Sequence, residues 1–461
     1  MKRQVFLLLC VLLTAGALRA APAKEDTVYT LADALKAPEQ VRILNLSRQN
    51  LVLFPKEITR LKNLHTLILS YNGLTSLPPE IGALTELEAI YLNENGVVNL
   101  PAAIGYLQKL RVLDLRINSL TRLPTEITNL KQLQYLDLSE NEQITLSAEI
   151  GGLSSLRVLK LESNRLKFLP KEIAQLTNLD ELYLGHNQFV DLTEAIGGLT
   201  TLRKLDLGNN WLTSLPQSIG ALSRLEVFNL GSNHFRVLPP DVCRLSGVKI
   251  LSVDNNYLSA LPDQIGDLTA LEELNAYNNA LTRLPASVVN LANLRALYLY
   301  NNYIFELPAD LGKLANLKAL VLIRNRLAEL PASLNDLHSL TMLDLRENQL
   351  QALPDVWSGL QRLEQVWLSY NRLTSLPPTL AACTEMTGLF AGNNQLTTPP
   401  VGFEKMEKLK KLHLNDNQLK GGAEVFGKLI RLRELNLSGN QIPFDQMLQI
   451  RKALQDTNIY F

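Results

Sequence analysis

Cysteine is scarce in this sequence: three among 461 residues, at positions 10, 243 and 383. That excludes the dense disulfide framework of small secreted folds. An excess of one charge is missing as well, since 45 Lys and Arg balance 45 Asp and Glu. A nucleic-acid binder normally shows a basic field, and long-range attraction to anionic membranes needs one too, so neither partner is expected. Histidines number five, and the chain has no H-E-x-x-H, no G-x-S-x-G and no calcium loop. No recognisable metal-dependent or nucleophilic machinery and no cofactor are therefore expected. The main apolar run, residues 5–13, is too short to span a bilayer comfortably. With 46% hydrophobic and 20% charged residues, the chain still has enough apolar matter to bury a core.

What is present begins with a leader pattern. Lys2 and Arg3 precede the apolar run, and Ala21-Pro22-Ala23 offers a small-residue cleavage site. Residues 1–23 therefore read as an export signal, which predicts an exported protein that is periplasmic, surface-held or secreted and has no membrane insertion after cleavage.

Beyond the leader the sequence keeps a strict ruler. "LHTLILSYNGL" (64–74), "LRVLDLRINSL" (110–120), "LRKLDLGNNWL" (202–212) and "LTMLDLRENQL" (340–350) share the form L-x-x-L-x-L-x-x-N-x-L. The asparagine recurs every 23 residues from Asn72 to Asn440, 17 times, with Gln49 one step earlier, giving 18 repeats. The second half of each unit reads L-P-x-x-I-x-x-L, as in "LPPEIGAL" (77–84). In x-L-x-L-x alternate side chains face opposite sides of a short strand, so the leucines point inward. One such strand cannot bury them alone, whereas stacked neighbours form a continuous core. The asparagine amide has donors and an acceptor to satisfy backbone groups of its own and the next coil. Proline in the return segment suits a place where a fixed φ and a missing N–H are tolerated.

The unit resembles the 23-residue leucine-rich repeats of exported bacterial proteins and is similar to those of Ras-associated and Scribble-type scaffolds. The resemblance implies an α/β solenoid, a horseshoe of 18 repeats with parallel strands on the concave face. It also implies recognition rather than chemistry. Extracellular eukaryotic relatives often carry disulfide-bonded end caps, which this chain lacks. The expected organisation is a leader (1–23), an N-terminal cap (24–40) with a short helix begun by Thr30 and Asp33, the solenoid (41–442), and a C-terminal cap (443–461). That last cap should hold a helix from Pro443 to about Leu454, with Met447, Ile450, Ala453 and Leu454 on one face, and a final strand in "NIYF".

The grid disposes of several motifs. "GGAEVFGKL" (421–429) nearly matches a phosphate-binding loop, but Leu429 stands where a hydroxyl is required, and the segment aligns with an ordinary return segment. Cys243 and Cys383 fall about six repeats apart, roughly 30 Å, so two free thiols are expected. The histidines never meet in the grid, so no zinc site is expected. A file of alternating charge (Arg157, Asp180, Arg203, Glu226, Lys249, Glu272, Arg295) should pair across neighbouring strands and keep register rather than mark a site.

Aromatics are only 6% of the chain, yet they gather. Tyr298, Trp367 and Phe390 occupy the position between the inward leucines, and Tyr277, Tyr300, Ile323 and Arg346 lie two residues further on. Arg324 and Tyr370 follow at the next position. Elsewhere these columns are mostly polar, as at Asp114, Arg116, Asp137 and Lys160. These nine residues are the candidate binding site, because contiguous exposed apolar side chains with Tyr, Trp and Arg mark interfaces. A protein or peptide ligand is the expected partner, with a glycan as the alternative. Gly185, Gly208 and Gly231 form a strip that would give a partner close access.

Overall fold

The computed structural model describes residues 27–142 and 144–461; the leader expected at 1–23 lies outside the described residues. The chain divides into two compact units between Leu205 and Asp206.

In the first unit every repeat contributes one three-residue strand. Thr66–Ile68, Ala89–Tyr91, Val112–Asp114 and Tyr135–Asp137 pair in parallel, so that Leu67, Ile90, Leu113 and Leu136 line up. All four are fully buried. After each strand the chain returns through a 3₁₀ turn, such as Pro79–Ala83, Ala102–Tyr106 and Thr125–Asn129, whose isoleucine is buried. The proline sits just before the turn in extended conformation, where no N–H is needed. Ser147 and Thr193 hold the same place, also extended, so it is the backbone conformation that the position requires. At the start, Thr27–Val28 adds a strand beside Ile43–Asn45 that the sequence pattern does not announce. The helix begun by Thr30 is a single turn, Leu31–Ala34, capped by the Thr30 hydroxyl, which accepts from Asp33 N–H and donates to the Asp33 carboxylate; Pro38 opens a separate 3₁₀ turn, Pro38–Gln40.

The strand ends in a sharp reversal. From Tyr71 to Asp416 the residue before each asparagine of the ruler holds φ between 51° and 61°. This left-handed backbone lets the N–H turn to the next strand, as Tyr71 N–H does to Asn93 O at 2.9 Å. Asparagine and aspartate tolerate that conformation better than other side-chain-bearing residues, and a β-branched residue tolerates it worst. Ile117, exposed and at φ 53°, is such a case. Ile117→Asn is expected to stabilise the protein by about 1 kcal/mol in denaturant titration; a loss of stability would show that Ile117 is held there by packing.

The asparagine column bonds its own coil and the preceding one, not the following one. Asn141 donates to Leu138 O and Ser139 O in its own repeat and to Leu115 O in the repeat before, and accepts from Leu120 N–H. One irregularity follows it: Ile144, one place late, is buried where the pattern asks for a leucine at 143.

In the second unit the strands from Val227–Asn229 to Glu434–Asn436 continue in parallel on the same 23-residue register. Trp357 fills an isoleucine position, is buried, and donates its indole N–H to Pro354 O at 2.8 Å. Gly359 is required beside it, because a Cβ there would lie 2.0 Å from Asn335 O. The chain then forms the helix Phe444–Ala453 and the strand Asn458–Tyr460, which pairs Ile459 with Leu435. Ile450 and Leu454 are buried, whereas Ala453, expected on the same face, is exposed. Cys243 and Cys383 are free and buried, and burial pushes both thiols up to about 12, where they act as small core hydrophobes.

Candidate functional site

The inward leucines of the second unit force the residues between them onto the open sheet face. Strand register places Tyr298, Val321, Asp344, Trp367, Phe390 and His413 in one continuous row. Five strand steps at about 4.8 Å make this row on the order of 24 Å long. Tyr298, Trp367 and Phe390 are half-buried.

The row has two aromatic banks. In the first, Tyr300 stacks on Tyr277 with ring centroids 4.2 Å apart and planes 7° from parallel. Tyr277 is only 9% exposed and hydrogen-bonds Asp254. It therefore supports Tyr300 rather than presenting a surface of its own, a correction to its place among the contact residues. Burial raises the Tyr277, Tyr298 and Tyr300 phenols above their ordinary range, so all three stay neutral at physiological pH. In the second bank Trp367 stacks on Phe390 at 5.7 Å, and Phe390 meets His413 edge-on at 4.9 Å. Such pairs are worth about 1 kcal/mol beyond their buried area and hold the rings still.

Between the banks lie Val321, Ile323 and an ion pair. Arg346 Nε donates to Asp344 Oδ1 at 2.9 Å, and its guanidinium sits 5.9 Å from the Trp367 ring centroid. Asp344 is buried and raises the pKa of Arg346 through that hydrogen bond. The centre of the face is therefore polar in hydrogen bonding and neutral in charge. Arg324 is exposed and donates from Nε to Glu347 Oε2 at 2.6 Å. Both arginines already have carboxylate partners, so neither is a bare cation waiting for an anion. Tyr370 is exposed at the rim, on the left-handed backbone position of its repeat.

Two glycines of the strip have a reason of their own apart from partner access. A Cβ at Gly208 would lie 2.6 Å from Asn229 Nδ2, and one at Gly231 would lie 2.8 Å from Asp254 Oδ1. Asn229 donates to Asp206 Oδ1 at 2.8 Å and accepts from Gly231 N–H at 2.9 Å. At Gly208 and Gly231, glycine makes room for the protein's own polar network.

The charge file pairs as adjacent strands allow: Arg157 with Asp180 at 3.2 Å, Lys249 with Glu226 at 2.7 Å and Arg295 with Glu272 at 2.9 Å. In the near phosphate-loop segment, the N–H of Gly422 donates to Gln446 Oε1 at 2.9 Å. Among the described residues no group of three or more His, Cys, Asp or Glu is placed to hold a metal ion.

One polar pair passed as ordinary surface in the sequence. Asp114 and Asp137 are directly paired neighbours on the sheet face of the first unit, 5% and 1% exposed. Each carboxylate accepts the N–H two residues on, Arg116 at 3.2 Å and Ser139 at 3.0 Å, which explains an acid at this place. Burial, and then Asp137, raise the Asp114 pKa to about 6. The folded protein thus binds a proton there that the unfolded chain has released above about pH 4, so stability falls as pH rises from about 4 to 6. Asp114→Asn keeps an acceptor for Arg116 N–H. It is expected to add about 1–3 kcal/mol at pH 7 and to flatten this part of the stability profile; an unchanged profile in chemical denaturation would refute the assignment.

The repeat grid is matched by known families. Residues 30–121, 123–208 and 188–284 match the leucine-rich repeat region family, and 292–350, 315–373 and 391–442 match the leucine rich repeat family. The chain is a leucine-rich-repeat protein. It is similar to a leucine-rich-repeat protein of Leptospira interrogans, with 33% identity, a TM-score of 0.72, and coverage of 94% of this chain and 99% of that one. It is also similar to the plant peptide hormone receptor RGFR1 in complex with RGF2, at 26% identity and a TM-score of 0.61, over 95% of this chain and 81% of that one. The Arabidopsis receptor kinase HAESA, solved with the peptide hormone IDA and the co-receptor SERK1, matches at 27% identity and a TM-score of 0.60, over 88% of this chain and 79% of that one. No curated protein matches the chain. Among the described residues no helix is long and apolar enough to cross a membrane.

Proposed function

We propose that this leucine-rich-repeat protein is an exported, non-catalytic binding protein whose second unit recognises a protein or peptide across the sheet face from Tyr298 to Phe390. The observation that carries this reading is the in-register row of half-buried aromatics flanking a neutralised ion pair. Rings already immobilised by stacking lose little entropy when a partner covers them, which is the economical way to form a hot spot. The peptide complexes of RGFR1 and HAESA support a peptide or protein as partner class. The order of basic, apolar and small residues over 1–23 supports export. The proposed contact set is Tyr298, Tyr300, Ile323, Arg346, Trp367 and Phe390, with Arg324 and Tyr370 at the rim and Tyr277 as support. The test is the affinity of a partner captured from the native compartment for the protein with and without Trp367 and Tyr300.

A further inference from the structure

A second aromatic file runs along the loop rim of the second unit, one residue past the asparagine ruler. Trp211, His234, Tyr257 and Tyr303 occupy that column, with Ala280 between the last two. Trp211 is 48% exposed and Tyr257 57%. His234 and Tyr257 stack with centroids 5.8 Å apart and planes 22° from parallel, so their spacing is set by the repeat. The file ends where the Arg326 guanidinium covers Tyr303 at 4.5 Å.

Beside it runs a ladder of amides. Asn278 Nδ2 donates to Asn255 Oδ1 at 2.7 Å, and Asn301 Nδ2 donates to Asn278 Oδ1 at 2.6 Å. Asn255 in turn donates to Asp254 at 2.6 Å. All three stand on the left-handed backbone position, at φ 51°, 52° and 54°, which fixes where their amides point. An amide has two N–H donors and two acceptor lone pairs, so one bond to each neighbour leaves capacity on the outer side. Over residues 209–303 neither column holds a carboxylate, an ammonium or a guanidinium.

We infer that this rim binds a neutral linear glycan. The file presents exposed rings in single sequence rather than a pocket, with His234 and Tyr257 stacked on each other and Tyr303 capped by Arg326, which leaves Trp211 and the outer surface of the pair to a linear polymer of sugar rings lying along the rim. One sugar ring of an extended glycan spans about the same 5 Å as one repeat step, so successive sugars meet successive repeats. Each sugar hydroxyl both donates and accepts, as the amides do. The absence of charged side chains from both columns over residues 209–303 disfavours the acidic polysaccharides that a basic ridge would select, and the Arg326 guanidinium at the end of the file lies over the Tyr303 ring. The amide column continues at Arg324 and Tyr370 on the rim of the sheet-face site, but the ring file from Trp211 to Tyr257 shares no residue with the row at Tyr298–Phe390, and the inference stands without that row.

The test is calorimetric titration of the whole chain with cellohexaose, maltohexaose and chitohexaose. At least one is expected to bind. Trp211→Ala with Tyr257→Ala should weaken that binding tenfold or more. Asn278→Gly, which keeps the left-handed backbone and removes the amide, should weaken it several-fold, and Trp367→Ala should leave it unchanged. Failure of all three sugars to bind overturns the inference. So does equal binding by the Trp211/Tyr257 variant, or loss of binding in Trp367→Ala, which would place the sugar on the sheet face.

Discussion

Asn302→Ala is expected to cost about 4 kcal/mol of stability. Asn302 donates to Ala276 O, Leu299 O and Tyr300 O and accepts from Leu281 N–H at 3.0 Å. The two leucine-column carbonyls are shared: Ala276 O also accepts from Asn279, and Leu299 O from Asn325. Removing one amide therefore leaves each of them one bond short rather than bare. Leu281 N–H is different, because its buried turn has no substitute acceptor among the neighbours named. An orphaned buried donor costs about 1–3 kcal/mol, and the weakened carbonyls add the rest. Denaturant unfolding of the variant checks this, and a cost below about 1 kcal/mol would mean that water replaces the amide. Because repeats couple chiefly to their neighbours, the loss should appear as local opening of the coils around Leu281 and Asn302, visible in amide hydrogen exchange.

The 23-residue ruler made the fold legible because each column answers to one physical demand. Leucine alternation placed Leu297 and Leu299 inward and Tyr298 and Tyr300 outward without any knowledge of neighbouring repeats. Register then followed from the constant step, so the row from Tyr298 to His413 could be read before any coordinate. What depended on side-chain competition was not legible. Column reading could not tell that Tyr277 is covered by Tyr300, that Arg346 is claimed by Asp344, or that Gly208 and Gly231 clear space for Asn229 and Asp254. The direction of the asparagine bonds, to the preceding coil, depends on the left-handed turn, which a list of residue types does not display. Thr27–Val28 escaped notice because a two-residue strand outside the ruler has no period to reveal it.

Trp367→Ala combined with Tyr300→Ala bears most directly on the proposed role of the sheet face. The two side chains belong to different aromatic banks, Trp367 with Phe390 and Tyr300 with Tyr277, and share no contact. Their effects should therefore nearly add. Aromatic hot-spot residues cost about 2 kcal/mol each on truncation, so the double variant should bind a captured partner several-hundred-fold more weakly. Phe168→Ala, an exposed ring in the first unit, serves as the control. The deciding measurement is the Kd of the purified partner for the unmodified protein, the double variant and the control, each confirmed folded by its unfolding midpoint. The account predicts a loss of several hundred-fold in the double variant alone. A folded double variant with an unchanged Kd would contradict it.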